Sequence, residues 1–166
     1  MIADEFRKEL ISELSNGGSI KLETLRKYKK LGMDQDSMYK VLEALMLEMR
    51  EKGDEKSEDD VMDAADVVVG FCSPQLKLFP EQDLIELRNS YITGEDDIKD
   101  VSTMLPYIIA PLLSDDVTRQ FERQLKCIRH MRDKKGQKER LLVLIDEAIR
   151  KVSAERKFRD EILSDA

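Results

Sequence analysis

Cys127 and His130 lie three residues apart in "LKCIRHM", a spacing that puts both on one face of a helix. A thiol beside an imidazole, in a stretch rich in Arg and Lys that favours the thiolate, is the usual start of a nucleophilic centre. The neighbouring residues point elsewhere. Cys127 adjoins Ile128 on a partly buried helix, and His130 falls with the basic face, so the pair reads as ordinary helix residues. His130 is the only histidine, and the second cysteine, Cys72, is far away in sequence. Zinc would therefore need carboxylates as most of its ligands. Acidic clusters at 54–60, 63–66, 95–100 and 115–116 lack the alternating spacing and glycine that wrap calcium. Phosphate-cradling glycine loops, a nucleophile elbow and a His-Glu-x-x-His helix are all missing. The expectation is a protein with no catalytic residues, no metal and no cofactor.

Two charged features remain. Arg119, Arg123, Lys126, His130 and Lys134 recur at intervals of four, three, four and four, with Arg129 and Arg132 beside them. Phe121, Leu125 and Ile128 fall on the other side. On one continuous helix this is a basic stripe able to follow phosphates, which makes Arg119, Arg123, Lys126, Arg129, His130 and Lys134 candidate anion-binding residues. Nucleic acid is then a candidate partner for the helix over 119–140. Against it stand a net charge of −7, no Trp and an aromatic content of only 5 %. The second feature is acidic: Asp54, Glu55, Glu58, Asp59, Asp60, Asp63 and Asp66 crowd into thirteen residues. The two features belong to a larger asymmetry. Residues 1–116 hold 14 Lys and Arg against 26 Asp and Glu, for −12, whereas 117–166 hold 14 against 9, for +5. Such a split suits an acidic body with a basic partner, a basic segment with an anionic one, or two parts that dock on each other. Residues 20–50 also trace a helix-turn-helix outline. Its second helix carries Asp34, Asp36, Glu43 and Glu48 where a DNA reader needs neutral or basic residues, so it reads as packing.

The elements that must position these residues are helical. Leu, Glu, Lys, Arg, Met and Ala dominate, and the 166 residues include only seven Gly and four Pro. The hydrophobic fraction, 41 %, is enough to bury a core. Helical periodicity and cap residues predict helices over 3–15, about 20–31, 35–52, about 60–69, about 80–92, from 97 to a bend or an end just before Pro106, 115–134 and 138–162. The acidic stretch 53–60 is predicted as a loop, Gly136 as a separator, and "YIIAPLL" as a short buried piece. The fold class is all-α, a multi-helix bundle of about seven or eight helices with a short extended segment near 74–79. An acidic N-terminal bundle over 1–72 and a C-terminal helical part with the basic helix over 73–166 are expected to pack as one compact unit. The N-terminus lacks the apolar core of a signal peptide, and the longest uncharged run, Val101–Leu113, is broken by two prolines. A cytoplasmic setting, away from membranes, is the expectation; the pattern is silent on oligomeric state.

The uncharged corner "GFCSP" at 70–74 ends one helix and leads into the apolar "QLKLF". With Cys72 lacking a nearby base, it reads as a structural joint with a buried thiol, and Phe71 as a core residue. A small acidic helical unit followed by this corner, Gly70, Phe71, Cys72, Ser73 and Pro74, resembles the immunity proteins of interbacterial competition systems, over residues 1–80. The resemblance implies a non-enzymatic inhibitor that masks a basic protein, such as a nuclease-type toxin, with an acidic surface. Asp54, Glu55, Glu58, Asp59, Asp60, Asp63 and Asp66 are then its candidate partner-binding residues. The alternative is a nucleic-acid-associated regulator that uses the basic helix.

Overall fold

The computed structural model describes residues 1–165, with side chains through Ile162. Eight α-helices and one 3₁₀ turn make up the described chain, and no β-strand occurs among these residues. The chain divides into two compact units, Met1–Phe79 and a second beginning at Pro80.

The first unit contains α1 (Ile2–Ser15), α2 (Leu22–Lys30), α3 (Gln35–Lys52) and α4 (Glu55–Val69). Its core is a single cluster that includes Phe6, Leu10, Leu25, Met38, Leu42, Leu45, Val61, Ala64, Ala65 and Val68. The helix starts follow from side-chain chemistry. Asp34 accepts from the Ser37 N–H at 2.7 Å and Asp54 accepts from the Ser57 N–H at 3.2 Å. These bonds satisfy amide donors that a helix start otherwise leaves without partners. They also hold both carboxyl groups below their ordinary pKa. Between α3 and α4 the chain needs only Gly53 and Asp54, because Gly53 takes a left-handed conformation, φ 68°, that closes α3. The expected loop over 53–60 is therefore replaced by helix from Glu55 onward. The cap is Asp54, and Ser57 is buried within the first turn, because the glycine reverses the chain within two residues.

Packing of α1 on α2 centres on Tyr28, which is 3 % exposed. Its ring meets Phe6 with centroids 4.8 Å apart, and its hydroxyl donates to Glu9 Oε2 at 2.8 Å. Lys27 Nζ donates to the same oxygen at 2.6 Å, and this bond above all holds the Glu9 carboxyl below its usual range. Burial, reinforced by Glu9, pushes the Tyr28 phenol up to about 12.

The 3₁₀ turn spans Pro74–Leu76, so the stretch expected to be extended is extended only beyond it. Leu78 returns to the first unit: its N–H donates to the Val67 carbonyl at 3.0 Å and its side chain is buried in that core. Lys29 fastens the same segment, donating to the Leu78 carbonyl at 2.7 Å with its ammonium 4.7 Å from the Phe79 ring centre.

The second unit contains α5 (Gln82–Thr93), α6 (Ile98–Ile109), α7 (Asp115–Arg129) and α8 (Lys134–Asp165). Leu84, Leu87, Val101, Leu105, Ile109, Phe121, Leu125, Leu141, Leu144, Ile145 and Ala148 lie in its core. A reciprocal capping box starts α6: Asp97 accepts from Lys99 and Asp100 N–H groups, and Asp100 accepts from the Asp97 N–H. The helix runs through Pro106, where the sequence predicts a bend or an end. Proline there removes one donor, to the Ser102 carbonyl. Val101, Leu105 and Ile109, four residues apart and fully buried, anchor the turns on both sides of it. That burial outweighs the single missing bond.

Helix α7 ends at Arg129, with His130 as its C-cap, and α8 begins at Lys134. Gly136 lies inside the first turn of α8 instead of separating two helices. A Cβ there would fall 2.6 Å from Asp133 Oδ2, and Asp133 Oδ1 accepts from the Lys135 N–H at 3.1 Å. The glycine thus makes room for the side chain that starts the helix. Buried Gln137 ties the two helices together, its amide donating to the carbonyls of Ile128 and Arg129 at 3.0 and 3.3 Å. Among the described residues no helix is long and apolar enough to cross a membrane.

Leu42→Ala removes a fully buried side chain from the first core and is expected to destabilise that unit by about 3 kcal/mol in chemical denaturation. A phenol held above its unfolded pKa of 10.0 adds stability that is complete below that pH and fades as pH rises toward about 12. The stability difference between wild type and Tyr28→Phe should therefore shrink over that interval, as read by thermal melts at several alkaline pH values.

Candidate functional site

The acidic residues singled out in the sequence lie on α4 and its cap, and the fold sorts them by role. Asp54 is the cap. Glu58 is ion-paired with Arg50 at 2.6 Å across the α3–α4 turn. Neither presents an uncommitted charge. Val61, Ala64, Ala65 and Val68 point into the core, so at 100° per residue the opposite face carries Glu55, Asp59, Asp63 and Asp66. Glu55, Asp59 and Asp63 are exposed, Asp60 and Asp66 half-buried. Glu55, Asp59 and Asp63 are spaced four apart and Asp66 follows three later, so these carboxylates form one row along the helix.

Like charges at this spacing repel weakly and would normally be interleaved with cations. Lys56 is the single cation on α4, and its ammonium turns away to donate to the Gly17 carbonyl at 3.2 Å. Met62, 45 % exposed, interrupts the row with an apolar surface. The row offers hydrogen-bond acceptors along one face of the helix. It can receive guanidinium or ammonium groups from a basic surface. No cluster of three or more His, Cys, Asp or Glu able to hold a metal ion occurs among the described residues.

The basic candidates are less united than their spacing suggests. Arg119, Arg123, Lys126 and Arg129 lie on α7, all exposed. His130 is the exposed cap, with Nδ1 bonded to the Lys126 carbonyl at 2.7 Å. Lys134 belongs to the next helix, across the turn at 131–133. The continuous stripe therefore ends after one helix, because the chain reverses where a period-based reading extends it. Glu122 and Asp116 stand among the arginines and line the same shallow surface depression as Arg119, Arg123 and Lys126. Cys127, expected on a partly buried helix, is exposed.

The charge asymmetry read along the chain also takes a different form in the fold. The first unit holds 12 Lys and Arg against 17 Asp and Glu, for −5, and the second 16 against 18, for −2. The basic helices α7 and α8 share a unit with α5 and with the acidic turn of Glu95, Asp96 and Asp97, and Arg88 on α5 pairs with Asp146 on α8 at 2.7 Å.

The "GFCSP" corner differs from expectation at one residue. Gly70 caps α4 in a left-handed conformation, φ 87°, and Cys72 is half-buried, but Phe71 is 82 % exposed. The glycine turns the chain outward before Ser73-Pro74 brings it back. Both apolar surfaces near the acidic row, Met62 and Phe71, escape a reading in which apolar means buried. Helical phase alone would have found Met62, which shares the face of Glu55 and Asp66. Phe71→Ala is expected to change unfolding stability by less than about 0.5 kcal/mol, the range for exposed positions, where a buried phenylalanine would cost about 3–5 kcal/mol. No protein-family model, curated protein or solved structure matches this chain.

Proposed function

We propose that this chain is a non-enzymatic binding protein of the immunity or antitoxin kind, which masks a basic partner with the outer face of α4. The observation that carries the reading is the row of Glu55, Asp59, Asp63 and Asp66 on a rigid helix whose only lysine is turned away. A single-sign surface of this kind attracts an oppositely charged protein over a distance and speeds encounter. It does so without reorganisation, because both ends of α4 are capped and its inner face is locked in the core. Met62 and Phe71 add apolar area of the sort that slows dissociation. An inhibitor of an intracellular toxin would act in the cytoplasm.

A second reading, a nucleic-acid-associated regulator, draws on Arg119, Arg123, Lys126 and Arg129, none of which is ion-paired among the described residues. Four contacts would give a log–log salt slope of about −4 in gel shift. Absence of any retention at low salt removes this alternative.

The first reading is tested with the basic protein that co-purifies from source cells. Reversing Glu55, Asp59, Asp63 and Asp66 to Lys is expected to lower the association rate by about 10–100-fold at low salt, with a much smaller change in dissociation. Three of these side chains are exposed and Asp66 is half-buried, so the melting curve should shift only a little. Equal association rates for wild type and the reversed protein would remove α4 as the binding face.

A further inference from the structure

Helix α7 packs against both α6 and α8, and two depressions adjoin each other along it. The first, of about 460 Å³, is lined by Arg119, Arg123 and Lys126 together with Asp116 and Glu122. The second, of about 500 Å³, has Glu122, Lys126, Arg129 and His130 on the α7 side and Ser102, Thr103 and Pro106 on the α6 side, with Leu125 between them. Glu122 and Lys126 border both, so the two form one trough, which spans about 15 Å along the axis from Arg119 to Arg129. The α6 wall is uncharged, since no ionisable acid or base lies between Val101 and Tyr107. The Ser102 and Thr103 hydroxyls donate to the carbonyls of Ile98 and Lys99 at 2.6 and 3.1 Å and have no proton left for an anion. The cations of α7 alone can hold one. Beside them stands Tyr107, 84 % exposed, the most exposed aromatic side chain among the described residues. It follows Pro106 and stands one turn after Thr103, both on the trough wall, and a helical side chain leans back over the turn before it. The ring therefore sits at the edge of the trough, with no ring or cation stacked on it among the described residues.

Along the chain the basic stretch contains one aromatic residue, Phe121, and that side chain is buried. The fold supplies another from a different helix. Two properties then choose the ligand. A helix that reads a duplex projects into the major groove. Here α7 is flanked by α6 and α8, and its cations border a trough that a flexible strand can follow. Asp116 and Glu122 also weaken the field along the trough, so attraction of phosphates supplies only part of the affinity. An unpaired base adds stacking on an exposed ring, which the bases of a duplex, already stacked on each other, do not offer. We propose, on the basis of the nucleic-acid reading above, that the α6–α7 trough binds a single-stranded nucleic acid, its phosphates on Arg119, Arg123, Lys126 and Arg129 and one of its bases on Tyr107.

Fluorescence anisotropy of the full chain at low salt tests this with labelled oligo(dT), oligo(U) and a mixed-sequence duplex of equal length, about a dozen nucleotides. The better-bound single strand should exceed the duplex in affinity at least about fivefold, and its sugar identifies DNA or RNA as the source. Tyr107→Ala should weaken single-strand binding at least about fivefold, the loss of one stacked base, and leave duplex binding unchanged. Tyr107→Phe should keep the wild-type affinity. Lys126→Ala and Arg129→Ala should each lower the log–log salt slope for the single strand by about 0.7. The chain has no Trp, so Tyr107→Trp sets a single reporter whose emission should be quenched by the bound strand. All three positions are exposed, and melting curves of the variants should match the wild type. Failure to bind any of the three nucleic acids removes the nucleic-acid reading and the trough with it. Duplex bound as tightly as single strand, or single-strand binding indifferent to Tyr107→Ala, overturns the trough and leaves that reading standing.

Discussion

The two-residue reversal at Gly53 and Asp54 sets the first unit. Gly53 can adopt the left-handed conformation that ends α3 because it has no Cβ. Asp54 then caps α4 immediately. With so short a link, α4 must lie back along α3, and the small residues Ala64 and Ala65 let the two backbones approach. Once Val61, Ala64, Ala65 and Val68 are committed inward, the phase of the helix leaves Glu55, Asp59, Asp63 and Asp66 outside. The acidic row is thus a consequence of the hairpin. The arrangement also explains why two of the seven clustered carboxylates have structural work: Asp54 closes the helix start, and Glu58 reaches back to Arg50 across the reversal.

The second unit handles charge differently. Its basic helices share the unit with the acidic turn of Glu95, Asp96 and Asp97, so its net charge is close to neutral although its C-terminal stretch is strongly basic. The arginines of α7 are interleaved with Glu122 and Asp116, which lowers the local potential that a phosphate would feel. On α8 both signs occur on one stripe around an exposed valine. The two units thereby differ in how charge is distributed on their exposed helix faces.

Much of this was legible in the chain before folding. The apolar period marks all eight helices, four of them, α1, α2, α3 and α5, end within two residues of the expected places, and Asp34, Ser114 and Gly53 act where their types suggest. Three local readings failed for one reason, that a neighbour in space outweighs a local signal. Pro106 breaks a helix only if burial on both sides does not hold it, and Leu105 and Ile109 hold it. Gly136 reads as a separator until Asp133 is seen to need the space beside it. Phe71 reads as core by type, but Gly70 turns the chain outward at that residue.

The sequence by itself determined the all-α class, most helix phases and the existence of an acidic and a basic segment, because these follow from side-chain type and a fixed 3.6-residue period. Only the tertiary structure decided which charges remain available. An ion pair such as Arg50 with Glu58, a cap such as Asp54, or a lysine drawn to a distant carbonyl, as Lys56 is to Gly17, depends on where the chain reverses. The same holds for the basic stripe, whose apparent continuity into Lys134 ended where α7 did. Position along the chain sets a residue's phase on its own helix. What that residue faces is set by the turn that brings a second helix beside it.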